Sequence, residues 1–194
     1  MECDAAGPLP QMSPIMNLTA SEARIEYYMH TFEREHLRQL SDQILEAARR
    51  GEMGLDTSVL PAKRNAMFDL LESHGYHYHS KNPETLRICW NWQCRVTKII
   101  DDTLVPGFPR GDRMYHIAIA SLTNKHWDAI SQIEAQVRMA MTTTTNIKLE
   151  QDIHPEIHLC LCYPQNGYTI HSDKRTVCWQ WTCMDRHTTP LTKF

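Results

Sequence analysis

The 194-residue sequence lacks the features that mark several common classes of protein. No apolar run is long enough to cross a membrane, and the first twenty residues lack the charged and apolar regions of a signal peptide. The net charge of −3 is not the basic excess of a sequence-independent nucleic-acid binder. The seven glycines are not spaced as in a phosphate-binding loop. We therefore expect no membrane span, no secretion and no cofactor, and nucleic acid is disfavoured as a partner.

The cysteine content does not indicate a disulfide-stabilised scaffold. Seven cysteines are present, which is an odd number, and the expected compartment is a reducing one. The apolar content of 42% is enough for a packed core. We therefore predict a globular protein whose cysteines are thiols.

Two segments of the sequence are related to each other. CWNWQC at residues 89–94 recurs as CWQWTC at residues 178–183, which is 89 residues later. Upstream of each, the pattern Gly-Tyr-x-x-His-Ser begins at Gly75 and again at Gly167, 92 residues later. Landmarks in the same order at a nearly constant offset predict a tandem duplication.

Each copy predicts the same order of elements, namely helix, strand, helix, strand, strand. Apolar residues recur at steps of three and four in the long helical segments. Pro61 and Pro155 open the second helix of each copy, and Gly-Tyr precedes a hairpin. The predicted fold class is α+β, a tandem duplication of this unit in which a long helix packs on a small, mainly antiparallel sheet.

The distribution of proline and glycine along the chain helps to predict its domain boundaries. Proline and glycine are concentrated between the two copies, as in a linker or loop. The predicted boundaries are an irregular N-terminal arm at 1–20, repeat unit 1 at 21–96, a Pro/Gly linker at 97–113, repeat unit 2 at 114–184 and a C-terminal tail at 185–194.

The Cys-Trp-x-Trp-x-Cys segments predict strands rather than metal or redox sites. In a strand, Cys89 and Cys94 lie on opposite faces and about 16 Å apart. That separation is too large for a disulfide or for one shared zinc ion. Contact between cysteines of different copies stays open as an alternative. The predicted structural-core residues are Trp90, Trp92, Trp179, Trp181, Tyr76 and Tyr168.

Histidine spacing suggests one possible function class, a metal-binding protein or a metal-dependent enzyme. His154 and His158 are one helical turn apart, a spacing that can hold a metal ion. The structural interpretation is that His154 caps a helix and His158 is an ordinary surface residue. A further cluster, His74, His77 and His79, lies near the first hairpin, with His77 and His79 on one strand face and His74 nearby in the turn. It is interpreted as a polar hairpin face, and a transition-metal or pH-sensing site stays open as the alternative.

Two pairs of adjacent basic residues suggest another function class, a nucleic-acid-binding module of the helix-plus-hairpin type. The candidate phosphate contacts are Arg49, Arg50, Lys63 and Arg64. The net acidity favours reading these pairs as solvated helix faces instead. A steep fall in DNA affinity with added salt would support the binding interpretation.

The first copy resembles a pattern in virion proteins of large DNA viruses and tailed phages. The pattern is a helix ending in Ala-Ala-x-x-Gly, a short strand, a helix with Leu-Leu, then Gly-Tyr and a hairpin that closes on Trp. The matching residues are Ile44, Ala47, Ala48, Gly51, Leu70, Leu71, Gly75, Tyr76 and Trp90. The second copy departs from it, since Met139-Ala140-Met141-Thr142 replaces Ala-Ala-x-x-Gly.

This resemblance implies a small α+β module without catalytic activity, in a minor capsid or other virion component. Such a protein would locate to the virion, after assembly in the host cytoplasm or nucleus. Its implied partners are other structural proteins of the assembly, or further copies of itself. A duplicated module presents two related surfaces, which suits a protein that bridges neighbouring subunits.

Overall fold

The computed structural model describes residues 20–91 and 104–180, and it confirms the α+β class. These residues form six α-helices, one short 3-10 helix and six strands in two antiparallel sheets. Most of the predicted N-terminal arm, the first part of the linker and the predicted C-terminal tail lie outside the described ranges. No helix within these ranges is long and apolar enough to cross a membrane.

The first half, residues 20–91, contains three helices and a three-stranded sheet with strand order β1-β3-β2. In this sheet Ile88 lies opposite both Leu55 and Tyr78. The elements are α1 (Ala20–Thr31), α2 (Arg34–Arg49), β1 (Gly54–Ser58), a 3-10 helix (Pro61–Lys63), α3 (Arg64–Ser73), β2 (His77–Ser80) and β3 (Thr85–Cys89).

The second half, residues 104–180, has the same kinds of element in the same order, without the 3-10 helix. Its sheet has strand order β4-β6-β5, and Val177 lies opposite both Ile147 and Ile170. The elements are α4 (Gly111–Lys125), α5 (Trp127–Ala140), β4 (Asn146–Lys148), α6 (Pro155–Leu161), β5 (Thr169–Ile170) and β6 (Thr176–Cys178).

The prediction of one long helix in each half is wrong. The chain leaves helical geometry at Glu33, where φ is −58° and ψ is 137°. In the second half it leaves at His126, where φ is −111° and ψ is 21°. Two shorter helices therefore stand where one was predicted.

Glycine ends two helices of the first half for a geometric reason. After α2, the amide of Gly51 donates to Ala48 O at 2.9 Å and that of Glu52 donates to Ala47 O at 3.0 Å. This pair of bonds needs a left-handed residue, and Gly51 has φ of +81°. Gly75, with φ of +78°, ends α3 in the same way.

The two halves pack against each other. Helix α2 packs on α4, and the buried core of the first half includes four residues of α4. These residues are Met114, Tyr115, Ala118 and Ile119. A Cβ at Gly51 would lie 2.7 Å from the Leu122 side chain, which shows how close α2 and α4 come.

The described part of the predicted linker is held against the first half. Val105 and Phe108 are buried in the same core. The amide of Gly111 donates to His74 O at 2.9 Å, and Tyr76 Oη donates to Pro109 O at 2.9 Å. Helix α4 begins at Gly111, so the last three residues of the range predicted as linker are helical.

Candidate functional site

The first Cys-Trp segment lies at the end of β3. Cys89 is the last residue of the strand, and Trp90 after it is fully buried. Trp90 Nε1 donates to Glu52 O at 2.9 Å, and its ring meets the buried Tyr76 ring edge-on at 6.2 Å between centroids. These contacts make Trp90 part of the core; Trp92 and Cys94 lie outside the described residues.

The second Cys-Trp segment ends β6 in the same position. Trp179 and Tyr168 are partly buried against the core of the second half. The amide of Trp179 donates to Thr145 O at 3.1 Å, just as that of Trp90 donates to Met53 O at 3.2 Å. Trp181 and Cys183 fall outside the part of the chain that the structure describes.

None of the described cysteines forms a disulfide. Cys89, Cys160 and Cys178 are buried, and Cys162 is partly buried. Burial raises the pKa of the Cys160 thiol, and burial raises the pKa of Cys162 to about 11. Since the thiolate is the nucleophile and the metal ligand, these two thiols are poorly suited to either task at neutral pH.

The structure places His154 beside His126 and Glu156. His126 is the residue between α4 and α5, and His154 precedes Pro155 at the start of α6. Glu156 lies in the first turn of α6. One potential metal-ligand atom from each of the three side chains lies within 4.8 Å of the other two. His158 does not belong to this group.

The side chains of His126, His154 and Lys125 converge on one carboxylate oxygen of Glu156. His126 Nε2 lies 2.5 Å and His154 Nδ1 lies 4.0 Å from Glu156 Oε2. Lys125 Nζ also contacts this oxygen, at 2.8 Å. His154 Nδ1 in addition accepts from the Glu156 amide at 3.3 Å, which caps the first turn of α6.

The electrostatics of the group favour an ionised carboxylate. Hydrogen bonds from Lys125 and then His126 hold the pKa of Glu156 below its usual value of 4.5. The side chains of His126, Glu156 and His154 are 19%, 33% and 57% exposed, so solvent reaches the group from the His154 side. Two imidazoles and a carboxylate are a common ligand set for a transition-metal dication.

The four candidate nucleic-acid contacts differ in whether their side chains already contact other residues of the protein. Arg50 is 2.8 Å from Glu52 and 3.6 Å from Glu46. Arg64 donates to Asn82 O at 3.1 Å, and its guanidinium lies over the Phe68 ring. The exposed Arg49 and the partly buried Lys63 complete the predicted set. The contacts of Arg50 and Arg64 therefore serve the fold of the first half.

The predicted cluster of three hairpin histidines divides in the structure. His77 and His79 share a strand face, with ring centroids 4.5 Å apart. His74, at the end of α3, is instead fully buried and does not contribute to a polar face. Its Nδ1 donates to Leu70 O at 2.8 Å and its Nε2 accepts from the Val105 amide at 2.9 Å. Its role is to join α3 to the segment before α4.

No protein-family model, no curated protein and no solved structure matches this chain. The proposals below therefore depend on the sequence patterns and on the geometry of the described residues.

Proposed function

We propose that the chain arose by tandem duplication and acts as a non-enzymatic assembly protein, a minor virion component that bridges neighbouring subunits through two related modules. The observation that carries this proposal is the recurrence of strand register between the halves. The resemblance of the first half to virion proteins is the reason for proposing a virion as the assembly.

Strand pairing in the two sheets is related by the same residue offsets that separate the two copies of each sequence motif. The aligned trio Leu55, Ile88 and Tyr78 in the first sheet has its counterpart in Ile147, Val177 and Ile170 in the second. The outer strands are displaced by 92 residues and the central strand by 89. A hairpin loop shortened by three residues in the second half accounts for the difference.

The exposed apolar side chains support an assembly role. Aromatic residues and methionine are enriched at protein interfaces, where their large apolar surfaces become buried. Large apolar residues are exposed in both halves: Tyr27 (53%), Leu60 (65%), Trp127 (58%), Met139 (83%) and Met141 (58%). Both modules thus offer apolar surface to a neighbour, as a bridging protein requires.

Sedimentation of native source material tests the assembly role. The chain is expected to co-sediment with a large particle in a fixed ratio to its other proteins. A chain that sediments alone, at its own mass of 22.6 kDa, would contradict the proposal.

Cross-linking within the particle tests the bridging role. Lys81 in the first half and Lys174 in the second half are both exposed. A bridging protein should form cross-links from both lysines, each to a different neighbouring molecule. If only one half forms cross-links to other molecules, the protein is a terminal component and the bridging role is wrong.

A further inference from the structure

We infer that His126, His154 and Glu156 form a binding site for a transition-metal dication of the zinc type, which would join the α4–α5 junction to the start of α6. This site is independent of the proposed assembly role. It differs from the pair suggested by sequence spacing, because His126 takes the place of His158 as the second imidazole.

The observed separations suit a metal ion after small side-chain rotations. Bonds of about 2.0–2.1 Å in a tetrahedral zinc site place neighbouring ligand atoms roughly 3.4 Å apart. Here His126 Nε2 and His154 Nδ1 lie 2.5 Å and 4.0 Å from Glu156 Oε2. These distances bracket the required value, so the elements need not move far.

The ligand types select among metals. Two imidazole nitrogens and one carboxylate oxygen suit zinc, cobalt, nickel and copper better than magnesium or calcium, which prefer oxygen ligands. Three protein ligands also leave a fourth position open to water. The expected occupant is therefore a zinc-type ion with at least one exchangeable ligand.

Two groups compete with a metal ion for this site: Lys125, and the Glu156 amide, which donates to the single lone pair of His154 Nδ1. Lys125 Nζ lies 2.8 Å from the carboxylate oxygen that would bind the metal. In the structure this ammonium and His126 both contact the carboxylate. A bound dication would displace Lys125 from the oxygen, because both cannot occupy the same side of it.

Among the described residues of the first half, the position equivalent to His154 is occupied by Leu60, which cannot bind a metal ion. Leu60 precedes Pro61 with φ of −64° and ψ of 133°, and His154 precedes Pro155 with φ of −58° and ψ of 139°. The equivalent place in the first half thus has the same backbone with an apolar side chain. His154→Leu is accordingly a variant that this backbone accepts.

Calorimetric titration of the reduced full-length chain with Zn²⁺ tests the inference. We expect one ion per chain, with affinity reduced about tenfold or more in both His154→Leu and Glu156→Gln. His158→Ala, on the same helix, is the matched control and should leave the affinity unchanged. Lys125→Met should tighten binding, a gain that general damage to the fold cannot produce.

Four outcomes would overturn the inference. One is the absence of Zn²⁺ binding to the wild-type chain. Another is undiminished binding in both His154→Leu and Glu156→Gln, which would locate the ion elsewhere. The third is loss of binding in His158→Ala, which would restore the pair suggested by sequence spacing. The fourth is thiolate charge-transfer absorption on titration with Co²⁺, which would place the ion on the cysteines.

Discussion

At the scale of single residues, His74 shows how one side chain decides where a connecting segment lies. Its Nδ1 donates to Leu70 O, so Nε2 is left as the acceptor for the Val105 amide. Burial lowers the pKa of His74 from its usual value of 6.5, because the charged form would be desolvated. Protonation would also turn Nε2 into a donor facing another donor.

We predict that His74 makes stability depend on pH. Its contribution is complete above the unfolded pKa of about 6.5, and it is lost as pH falls from there through the lower folded pKa. His74→Ala should therefore cost about 2–4 kcal/mol at pH 7.5 and distinctly less at pH 5. Urea denaturation at the two pH values measures this difference.

The matched control for this prediction is His30→Ala, since His30 is exposed in the last turn of α1. Its effect should stay within about 0.5 kcal/mol at both pH values. An equal cost of His74→Ala at pH 7.5 and pH 5 would show that the neutral ring is not what joins Val105 to α3.

At the scale of elements, the two hairpins share a pattern of side-chain hydrogen bonds at turns whose backbones differ, since Lys174 has φ of +58° whereas the ring of Pro83 fixes a negative φ at the equivalent position. Asn82 Oδ1 accepts from the amides of Glu84 and Thr85, at 2.9 and 2.7 Å. Asp173 Oδ1 accepts from the amides of Arg175 and Thr176, at 3.0 and 2.9 Å. In each case a side chain mimics the backbone of a turn, which sets where the second strand begins.

We predict that the two turn residues can be exchanged but not removed. Asn82→Asp and Asp173→Asn keep the accepting oxygen and should fold normally at neutral pH. Asn82→Ala and Asp173→Ala should each lower the urea midpoint, because two amides per turn lose their acceptor. A midpoint unchanged by either alanine would show that the backbone alone sets the turn.

The carboxylate of Asp173 should make stability depend on pH through the second hairpin only. Hydrogen bonds from Thr176 and Arg175 lower the pKa of Asp173 to about 2. The stability that it contributes is therefore present above its unfolded pKa of about 3.8, and is lost as pH falls towards 2. Asp173→Asn should remove this acid dependence, whereas Asn82 has no carboxyl group to titrate.

The helices show what sequence periodicity can and cannot predict. Steps of three and four residues predict helices, and together with the hairpin signals they predict the α+β class. The breaks also leave a trace, since Phe32 to Leu37 and Leu122 to Trp127 are steps of five. A step of five advances about 140° around a straight helix, so neither apolar stripe continues through it. The long-helix prediction overlooked this change of phase.

The histidine site could not be predicted from local spacing. His158 is one helical turn from His154 and was the natural candidate, whereas His126 lies 30 residues before Glu156. Only the packing of α4 and α5 against α6 brings His126 to that carboxylate. The sequence alone identifies ligand types and one ligand position, and tertiary packing selects the partners.

At the scale of the whole molecule, the two halves share one interface instead of standing apart on a linker. Residues of α4 complete the core that α2, α3 and the first sheet begin. Helix α4 also packs against α6 of the second half, and its Leu122 is buried in the core of that half. Because α4 contributes to the cores of both halves, the halves should lose their structure together.

We predict that Ala118→Asp destabilises both halves at once. Ala118 is fully buried in α4, and an aspartate there would bury an unpaired charge at a cost of about 3–5 kcal/mol. Ala120, the same residue type on the same helix, is exposed, so Ala120→Asp should change stability by no more than about 0.5 kcal/mol. Hydrogen exchange read by mass spectrometry should show protection lost in both sheets of Ala118→Asp. Protection that persists around Val177 while it disappears around Ile88 would mean that each half keeps its own core, and that α4 holds the halves together without making them fold as one.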